Sequence, residues 1–519
     1  MGIVAKQTLS NSVIVFSGAL LGAINVMVLY PIVLPDQEIG LTRILIAFTV
    51  LFSQLASMGG GAMLIKFIPK YNKGNGNYNG VGSFIFCIGI LGFVILCCLL
   101  IFGKSIFEYF YAENSQLFIE YFFFLIPLIF FQILINFFGG LLQANFKTVF
   151  PNFINEILLR LLSCLILLFY FLKYVNFYGF MVAFVSMYGL AALANFLNLL
   201  HNQQLKLNFS LKFNFNEQRE VIRYGFANTL TSLAGNLSNR IDLLMIGSLL
   251  GGSAILAEKD DFNVGLYYVT IYTIASYMAT LIEMPARALS NIASAVISKA
   301  WHQDNIDLIG SLYKKSSINQ LIVGALIFLG VWVNIDSLLI FTGKDYSSGK
   351  FVFLFLALGK LINVASGVNG KIIILSKYYL VGTFLTFFLV FITFVSNLFF
   401  IPFFENFPGR VGIEGAALAT ALSVFLFNFF SFLFLLLKYK LQPFSFKTII
   451  VFLVSFVSFF VVHLIENQLT SNFFFELLLK SIIVALVYIP LTYVLNLSSD
   501  FNRIINKFFS RVFEIFRLK

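Results

Sequence analysis

The segment VGSFIFCIGILGFVILCCLLIFG (residues 81–103) carries no charged residue over its whole length. About 20 apolar residues in a helix are enough to cross the hydrocarbon core of a bilayer. A stretch of this length is therefore typical of a transmembrane helix, and the rest of the chain has the same character. Hydrophobic residues make up 60% of the sequence and charged residues 11%, with a mean hydropathy of +0.93, whereas soluble proteins have about 25% charged residues.

Thirteen further stretches are comparably apolar, so the sequence predicts fourteen transmembrane segments. These runs are continuously apolar and lack the alternation of a lipid-facing barrel strand. Because lipid offers the backbone no hydrogen-bond partner, each run is predicted to be helical. The predicted limits are 13–34, 41–66, 81–103, 118–143, 149–172, 178–200, 222–250, 264–290, 319–342, 351–375, 379–403, 412–437, 447–467 and 473–495.

The distribution of Lys and Arg gives the orientation of these segments. A net charge of +11 would suggest nucleic-acid binding in a soluble chain, but in a membrane protein the positive residues collect in cytoplasmic loops. With the N-terminus inside, 22 of the 34 Lys and Arg residues lie in cytoplasmic segments and 7 on the opposite side. The sequence predicts a multi-pass membrane protein with both termini in the cytoplasm and no nucleic-acid partner.

Two pairs of short motifs suggest an internal repeat. IGLTRILIAFTV and VGLYYVTIYTIA both open a span after an acidic outer loop, and their glycines, Gly40 and Gly265, are 225 residues apart. YGFMVAF and EGAALAT share a Gly-x-x-x-Ala spacing, with Gly179 and Gly415 separated by 236 residues. Similar offsets are expected of parallel repeats in transporters. We therefore predict an all-α membrane fold of two six-helix lobes and two extra helices, with an amphipathic cytoplasmic tail helix at the C-terminus. The predicted limits are 1–205, 206–440, 441–497 and 498–519.

Charged side chains inside predicted spans are the first candidates for function, because each costs about 2.5–3.5 kcal/mol at the centre of a span. Glu156 with Arg160 and Glu283 with Arg287 are spaced i, i+4, so each pair shares one helix face. Each is either an ion pair closed on itself or part of a functional site. Pro285 lies between the second pair and predicts a bend at a cavity or gate.

The segment GNLSNRIDLLMIG (residues 235–247) places Arg240 and Asp242 two positions apart. On a continuous helix their side chains are about 200° apart, so each needs its own partner. Arg240, with Asn236 one turn earlier, suits a polar cavity, an interhelical ion pair or an interfacial position. Lys360 in span ten suits snorkelling, pairing with a carboxylate or a cavity.

Motifs for ATP hydrolysis and for common hydrolases are missing from the sequence. The loop GNGNYNG (residues 74–80) lacks the Gly-Lys-Ser/Thr ending of a Walker motif, and neither HExxH nor GxSxG occurs. The four cysteines and three histidines do not follow a metal-binding spacing. We therefore expect a transporter rather than an enzyme, without cofactor or metal, driven by an ion gradient or the membrane potential.

Several motifs in sequence order resemble the polysaccharide transporter branch of the MOP superfamily, the Wzx-type flippases. The resemblance extends over nearly the whole chain and is greatest in its second half. The motifs are NRIDLLMIGSLLG (239–251), VGLYYVTIYTIASYM (264–278), IASAVISKAW (292–301), SNLFFIPFF (396–404) and GIEGAALATALS (412–423).

This resemblance implies a MATE-like pair of six-helix lobes around a cavity that opens alternately to either side. It also implies a bacterial inner-membrane flippase for polyprenyl-pyrophosphate-linked oligosaccharide, used for surface polysaccharide such as the O-antigen of lipopolysaccharide. Cationic side chains would bind the pyrophosphate, and Asn and Ser side chains would form hydrogen bonds with the sugar hydroxyls. The candidate substrate contacts are Arg240, Asn236, Asn25, Arg287 and Lys360.

The partners implied are the lipid-linked oligosaccharide, membrane lipids, H⁺ or Na⁺ as coupling ion, and polysaccharide assembly proteins. The candidates for ion coupling or gating are Asp242, Glu283, Pro285, Glu156 and Arg160.

Two other functions remain open. A multidrug cation antiporter of the same superfamily would bind its substrate with cavity carboxylates, whereas the interior charges here favour an anionic substrate. A polysaccharide polymerase or ligase would carry a long outer loop with basic catalytic residues, whereas the longest predicted outer loop has about 13 residues (251–263). Related lipid II flippases place arginines in the first cavity helices, but span one contains no Arg and offers Asn25.

Overall fold

The computed structural model describes residues 2–71, 80–202, 215–251, 263–466 and 473–517, and all regular structure within these ranges is helical. Twelve of the described helices are long and apolar enough to cross a membrane. The predicted all-α membrane fold is therefore confirmed. Predicted spans seven and ten are both interrupted, at residues 239–240 and 366–368, so the count of fourteen stays a prediction.

The chain forms two compact units, Met1–Thr273 and Ile274–Lys519. In the first unit α1 continues through a π-helical turn at Asn25–Leu29 into Tyr30–Val33, and a second π-helical turn, Ile154–Leu158, joins α8 to α9. The helices of this unit are α1 (Gly2–Ile24), α2 (Asp36–Ala56), α3 (Gly60–Tyr71), α4 (Val81–Phe102), α5 (Lys104–Tyr111), α6 (Gln116–Glu120), α7 (Leu125–Ala144), α8 (Val149–Phe153), α9 (Leu159–Phe171), α10 (Phe177–His201), α11 (Phe215–Ser238), α12 (Ile241–Leu249) and the first part of α13 (Val264–Thr280).

The second unit begins within α13, which passes through a 3₁₀ turn at Leu281–Glu283 into the next helix. The predicted lobe limits at residues 205 and 440 describe a repeat, which this division does not test, so they stay predictions. The remaining helices are α14 (Met284–His302), α15 (Ile306–Trp332), α16 (Ile335–Ile340), α17 (Gly349–Ala365), α18 (Asn369–Ile374), α19 (Tyr379–Glu405), α20 (Gly412–Tyr439), α21 (Phe446–Glu466), α22 (Phe473–Val494) and α23 (Ser499–Arg517).

Glycines set two close helix crossings in the first unit. A Cβ on Gly40 would lie 2.1 Å from the carbonyl oxygen of Leu266, so the two segments proposed as repeat partners touch at this point. A Cβ on Gly140 of α7 would lie 2.8 Å from the Cα of Gly61 on α3. Such distances are too short for any side chain, and small residues of this kind let membrane helices approach closely.

The break between α2 and α3 also depends on glycine. Met58 and Gly59 have positive φ angles of 48° and 69°, the left-handed region that glycine adopts without steric cost. The chain therefore turns at residues 57–59 and restarts as α3 at Gly60. The break lies beside polar side chains that come from several elements.

Candidate functional site

Three of the predicted site residues meet at one carboxylate in the second unit. Glu283 lies at the end of the 3₁₀ turn, and its side chain is only 9% exposed. Its Oε2 accepts hydrogen bonds from Lys360 Nζ at 3.1 Å and Arg287 Nη2 at 3.4 Å, and its Oε1 accepts one from Asn363 Nδ2 at 2.7 Å. The i, i+4 pair is therefore not closed on itself, because Lys360 joins it from α17.

The charge of this cluster is positive. One carboxylate faces two cations, so the group formed by Glu283, Lys360 and Arg287 carries a formal charge of +1. The Arg287 side chain is 60% exposed and that of Lys360 is 21% exposed, so both can meet a ligand while they hold Glu283. Charge-assisted hydrogen bonds satisfy the buried carboxylate, which would otherwise be costly to place there.

A line of asparagines extends the cluster away from the charges. Asn363 Oδ1 accepts a hydrogen bond from Asn428 Nδ2 at 3.3 Å, and Asn428 Oδ1 accepts one from Asn369 Nδ2 at 2.9 Å. Asn428 belongs to α20, and Asn369 begins α18 just after the interruption of span ten. The amides therefore link Glu283 to two further helices of the unit.

Pro285 lies in the first turn of α14, immediately after the 3₁₀ turn. Proline has no N–H to donate and fits the first turn of a helix, where such donors have no partner within the helix. The structure thus places the helix irregularity just before the residue where the sequence predicts a bend. Its role as a gate stays a prediction.

Arg240 and Asp242 do not lie on one continuous helix, which corrects the geometry assumed from the sequence. The chain leaves helical structure at Asn239, and Arg240 has φ −132° and ψ −14° as the residue before α12. The polar residues before the break give the backbone local alternatives to helix. Asp242 is 6% exposed and accepts a hydrogen bond from the Tyr272 hydroxyl, while Arg240 and Asn236 are half-buried.

Glu156, Arg160 and Asn25 lie together where α1 packs against α9 and the turn before it. Arg160 Nη2 pairs with Glu156 Oε2 at 3.0 Å, and Arg160 Nη1 donates to the Glu156 carbonyl oxygen at 2.9 Å. Asn25 Nδ2 donates to the Ser163 hydroxyl and, at 3.4 Å, to the Arg160 carbonyl oxygen. Asn25 and Glu156 both belong to π-helical turns, which are frequent at functional sites.

A cavity of about 300 Å³ lies in the first unit, beside the break between α2 and α3. Of its fourteen lining residues, four are glycines and seven carry a side-chain amide or hydroxyl, while none of these described residues is charged. The cavity cannot be predicted from the sequence, because its residues come from five separate elements. Its polar side chains are those of Gln54, Ser57, Asn136, Gln143, Asn155, Asn228 and Ser232.

Two predicted residues lie close to this cavity in the sequence without lining it. Asn236 follows the lining residue Ser232 by one turn of α11, and Glu156 directly follows Asn155. The other predicted residues of the first unit, Asn25, Arg160, Arg240 and Asp242, are likewise not among those that line it.

The fold and its polar clusters define a helical membrane protein. The model of the family described as "Polysaccharide biosynthesis protein" matches residues 4–297, which is more than half of the chain. The chain therefore belongs to the polysaccharide biosynthesis protein family, and the resemblance read from its motifs is confirmed. No curated protein matches the chain by sequence.

Solved structures share the fold at low sequence identity. The lipid II flippase MurJ in an inward closed conformation aligns over 94% of this chain and 98% of its own, with 17% identity and a TM-score of 0.70. A multidrug resistance MATE family transporter of the MOP superfamily aligns in its inward-facing form over 82% of this chain and 93% of its own, at 17% identity and a TM-score of 0.62. Its outward-facing form aligns over 83% and 94%, at 18% identity and a TM-score of 0.54. These similarities show a MATE-like fold.

Proposed function

We propose that this protein is a flippase that moves polyprenyl-diphosphate-linked oligosaccharide from the inner to the outer leaflet for surface polysaccharide assembly. It transports without catalysis, by alternating access, in a bacterial inner membrane. The family match supports a role in polysaccharide biosynthesis, and the fold is shared with a flippase and with transporters.

The observation that carries the proposal is the positive cluster at Glu283. Two cations share one carboxylate, so the cluster keeps one unbalanced positive charge. Such a charge suits an anionic headgroup, because guanidinium and ammonium groups are strong hydrogen-bond donors to phosphate oxygens. A cation exporter would instead need a site with a net negative charge, such as a carboxylate without a cationic partner.

The geometry suggests how a diphosphate would be held. Its oxygens would compete with Glu283 Oε2 for Lys360 Nζ and Arg287 Nη2, which already point to one oxygen atom. Glu283 would keep the hydrogen bond that Asn363 donates to its other oxygen. Binding would then share Lys360 and Arg287 between Glu283 and the diphosphate, so that the buried carboxylate keeps a cationic partner. Release would restore the original contacts.

Asp242 is proposed as the ion-coupling residue of the first unit. Its carboxylate is buried and accepts a hydrogen bond from Tyr272, so it is shielded from bulk water yet has a proton-bearing neighbour. A carboxylate in this setting can be neutralised by binding H⁺ or Na⁺. Arg240, at the adjacent break, stays a proposed substrate contact.

The test is the leaflet location of lipid-linked oligosaccharide in cells with and without the protein. We expect the intermediate to accumulate in the cytoplasmic leaflet of cells that lack it, with loss of surface glycan. Arg287→Gln should give the same defect at normal expression. Lys350→Gln is the matched control. Lys350 lies at the start of the helix that contains Lys360, and it forms an ion pair with the exposed Asp336. If the intermediate reaches the outer leaflet unpolymerised in cells without the protein, the flippase proposal fails and a polymerase role replaces it.

A further inference from the structure

We propose that the cavity of the first unit is a glycan-binding site that selects uncharged sugars of the transported lipid. This inference rests on the proposed flippase function and adds the class of sugar that is recognised. The cavity has the volume of a small ligand pocket, near the lower end of the range from about 300 to 1,000 Å³.

The lining offers the hydrogen-bond partners that sugar hydroxyls require. A hydroxyl both donates and accepts, and an Asn or Gln amide provides two donors and a carbonyl acceptor. Within the described part of the chain, the side chains of Gln54, Gln143 and Asn228 make no hydrogen bond to another residue, so their amides are available to a ligand. Asn136 Oδ1 accepts a hydrogen bond from Gln132 Nε2 at 3.0 Å, which leaves the Asn136 N–H groups as donors.

The same lining disfavours charged sugars. None of the fourteen described residues around the cavity is charged, so a sugar acid would lose hydration without gaining a cationic partner. The cations of the Glu283 cluster belong to a different set of helices, α14 and α17. The chain thus carries separate groups for the two chemically distinct parts of its substrate, amides for sugar and cations for diphosphate.

Glycines make room for these amides. A Cβ on Gly59 would lie 2.8 Å from Asn228 Nδ2, so the amide can take its position because residue 59 has no side chain. A Cβ on Gly61 would lie 3.1 Å from the carbonyl oxygen of Asn136, a contact tighter than most. The cavity wall is therefore shaped by backbone as well as by side chains.

The test measures binding of two lipids to the full-length protein in nanodiscs. The first probe is a polyprenyl diphosphate that carries a disaccharide of uncharged N-acetylated sugars, and the second is the same polyprenyl diphosphate without sugar. We expect the wild type to bind the sugar-bearing lipid about tenfold more tightly, since each hydrogen bond adds about 0.5–1.5 kcal/mol and tenfold corresponds to about 1.4 kcal/mol.

The variant Asn136→Leu/Asn228→Leu should lose this preference while its affinity for the bare diphosphate lipid stays unchanged, which also shows that it is folded. Gln143→Leu alone should reduce the preference by about threefold. Asn406→Leu, an exposed amide bonded to the Pro402 carbonyl oxygen in the second unit, is the matched control and should keep the full preference.

The possible failures are distinguishable. If the wild type binds both lipids equally, or if the double variant keeps the tenfold preference, the glycan site is wrong and the flippase proposal stands. If the wild type binds neither lipid, the flippase proposal itself is wrong. A disaccharide that contains a uronic acid should show little or no preference over the bare lipid, and tight binding of that probe would overturn the selection for uncharged sugars.

Discussion

The Glu283 cluster and the cavity of the first unit are both polar sites within apolar helices, but they are built in opposite ways. At Glu283, charges from α14 and α17 converge on one carboxylate, and nearly all its hydrogen-bonding capacity is used inside the protein. In the cavity the groups are neutral, come from five elements, and several make no internal hydrogen bond within the described residues. The first site is suited to hold and exchange charge, and the second is suited to bind a hydroxylated molecule.

This difference predicts how each site responds to mutation. Removing Glu283 leaves two cations without their carboxylate, and removing Lys360 leaves the buried carboxylate with a single cation at 3.4 Å, so stability and transport should both suffer. Removing an amide from the cavity leaves no buried charge behind, so selectivity should change with little loss of stability.

The largest effect is expected for Lys360→Gln. Loss of this cation leaves the buried Glu283 with Arg287 at 3.4 Å and Asn363, and should lower the free energy of unfolding by about 2–3 kcal/mol. Transport of lipid-linked oligosaccharide should be lost. The double variant Glu283→Gln/Lys360→Gln should recover most of the stability, measured by thermal unfolding in detergent, but not the transport. Recovery of both would show that Lys360 only neutralises Glu283.

Gly59→Ala should be a harmful small change at the cavity. The residue has a φ angle of 69°, where a Cβ costs roughly 1–2 kcal/mol, and that Cβ would also contact Asn228 Nδ2. Thermal stability and the preference for the sugar-bearing lipid should both fall. Gly60→Ala is the matched neighbour, because its Cβ would lie 3.5 Å from Ile85 Cγ2, an ordinary contact. Equal effects at the two positions would contradict the role given to Gly59.

Gly18 and Gly22 of α1 face different kinds of neighbour, because Gly18 packs against backbone and Gly22 packs against a charged side chain. A Cβ on Gly18 would lie 2.6 Å from the Glu156 carbonyl oxygen, and one on Gly22 would lie 2.8 Å from Arg160 Nε. Because a side chain can move and a backbone carbonyl cannot easily do so, Gly18→Ala should cost about 2 kcal/mol and Gly22→Ala less. Thermal unfolding of the two variants checks the order, and a larger loss for Gly22→Ala would be evidence against it.

The smallest effect is expected at Lys70 and Glu220. Their ion pair has a distance of 3.2 Å, similar to that of Lys360 with Glu283, but both side chains are 51% exposed. Exposed pairs contribute at most about 1 kcal/mol, so Lys70→Ala and Glu220→Ala should leave transport unchanged and shift stability within that limit. A loss as large as that of Lys360→Gln would mean that burial does not account for the importance of the Glu283 cluster.

Much of the fold could be predicted because the apolar runs are long and lipid leaves the backbone few choices. The interruptions of the helices were harder to predict from the sequence. The helix breaks at Arg240, just after a polar segment. The surrounding apolar residues nevertheless favour one continuous span, so the hydropathy of the sequence does not reveal the break. The π-helical turns at Asn25 and Glu156 also lack a sequence signal, since they depend on how neighbouring helices pack.

The residues of the charged cluster could be predicted from the sequence, but the contacts between them could not. Glu283, Arg287 and Lys360 stand out because charges are rare in apolar spans, but the sequence does not show that Lys360 reaches Glu283 across 77 positions. The neutral cavity was missed for a different reason. Asn136 and Gln143 each look unremarkable alone, and only the fold brings them together with Gln54 and Asn228.

The most direct test of the account is transport in reconstituted vesicles that contain the purified protein. The probe is the polyprenyl diphosphate that carries the uncharged disaccharide, and the measurement is the rate at which the inner-leaflet fraction becomes accessible to an external lectin. We expect protein-dependent movement, reduced at least tenfold in Glu283→Gln/Lys360→Gln although that variant stays folded. Movement at the wild-type rate in the variant, or no movement in the wild type, would contradict the assignment of the Glu283 cluster to diphosphate transport.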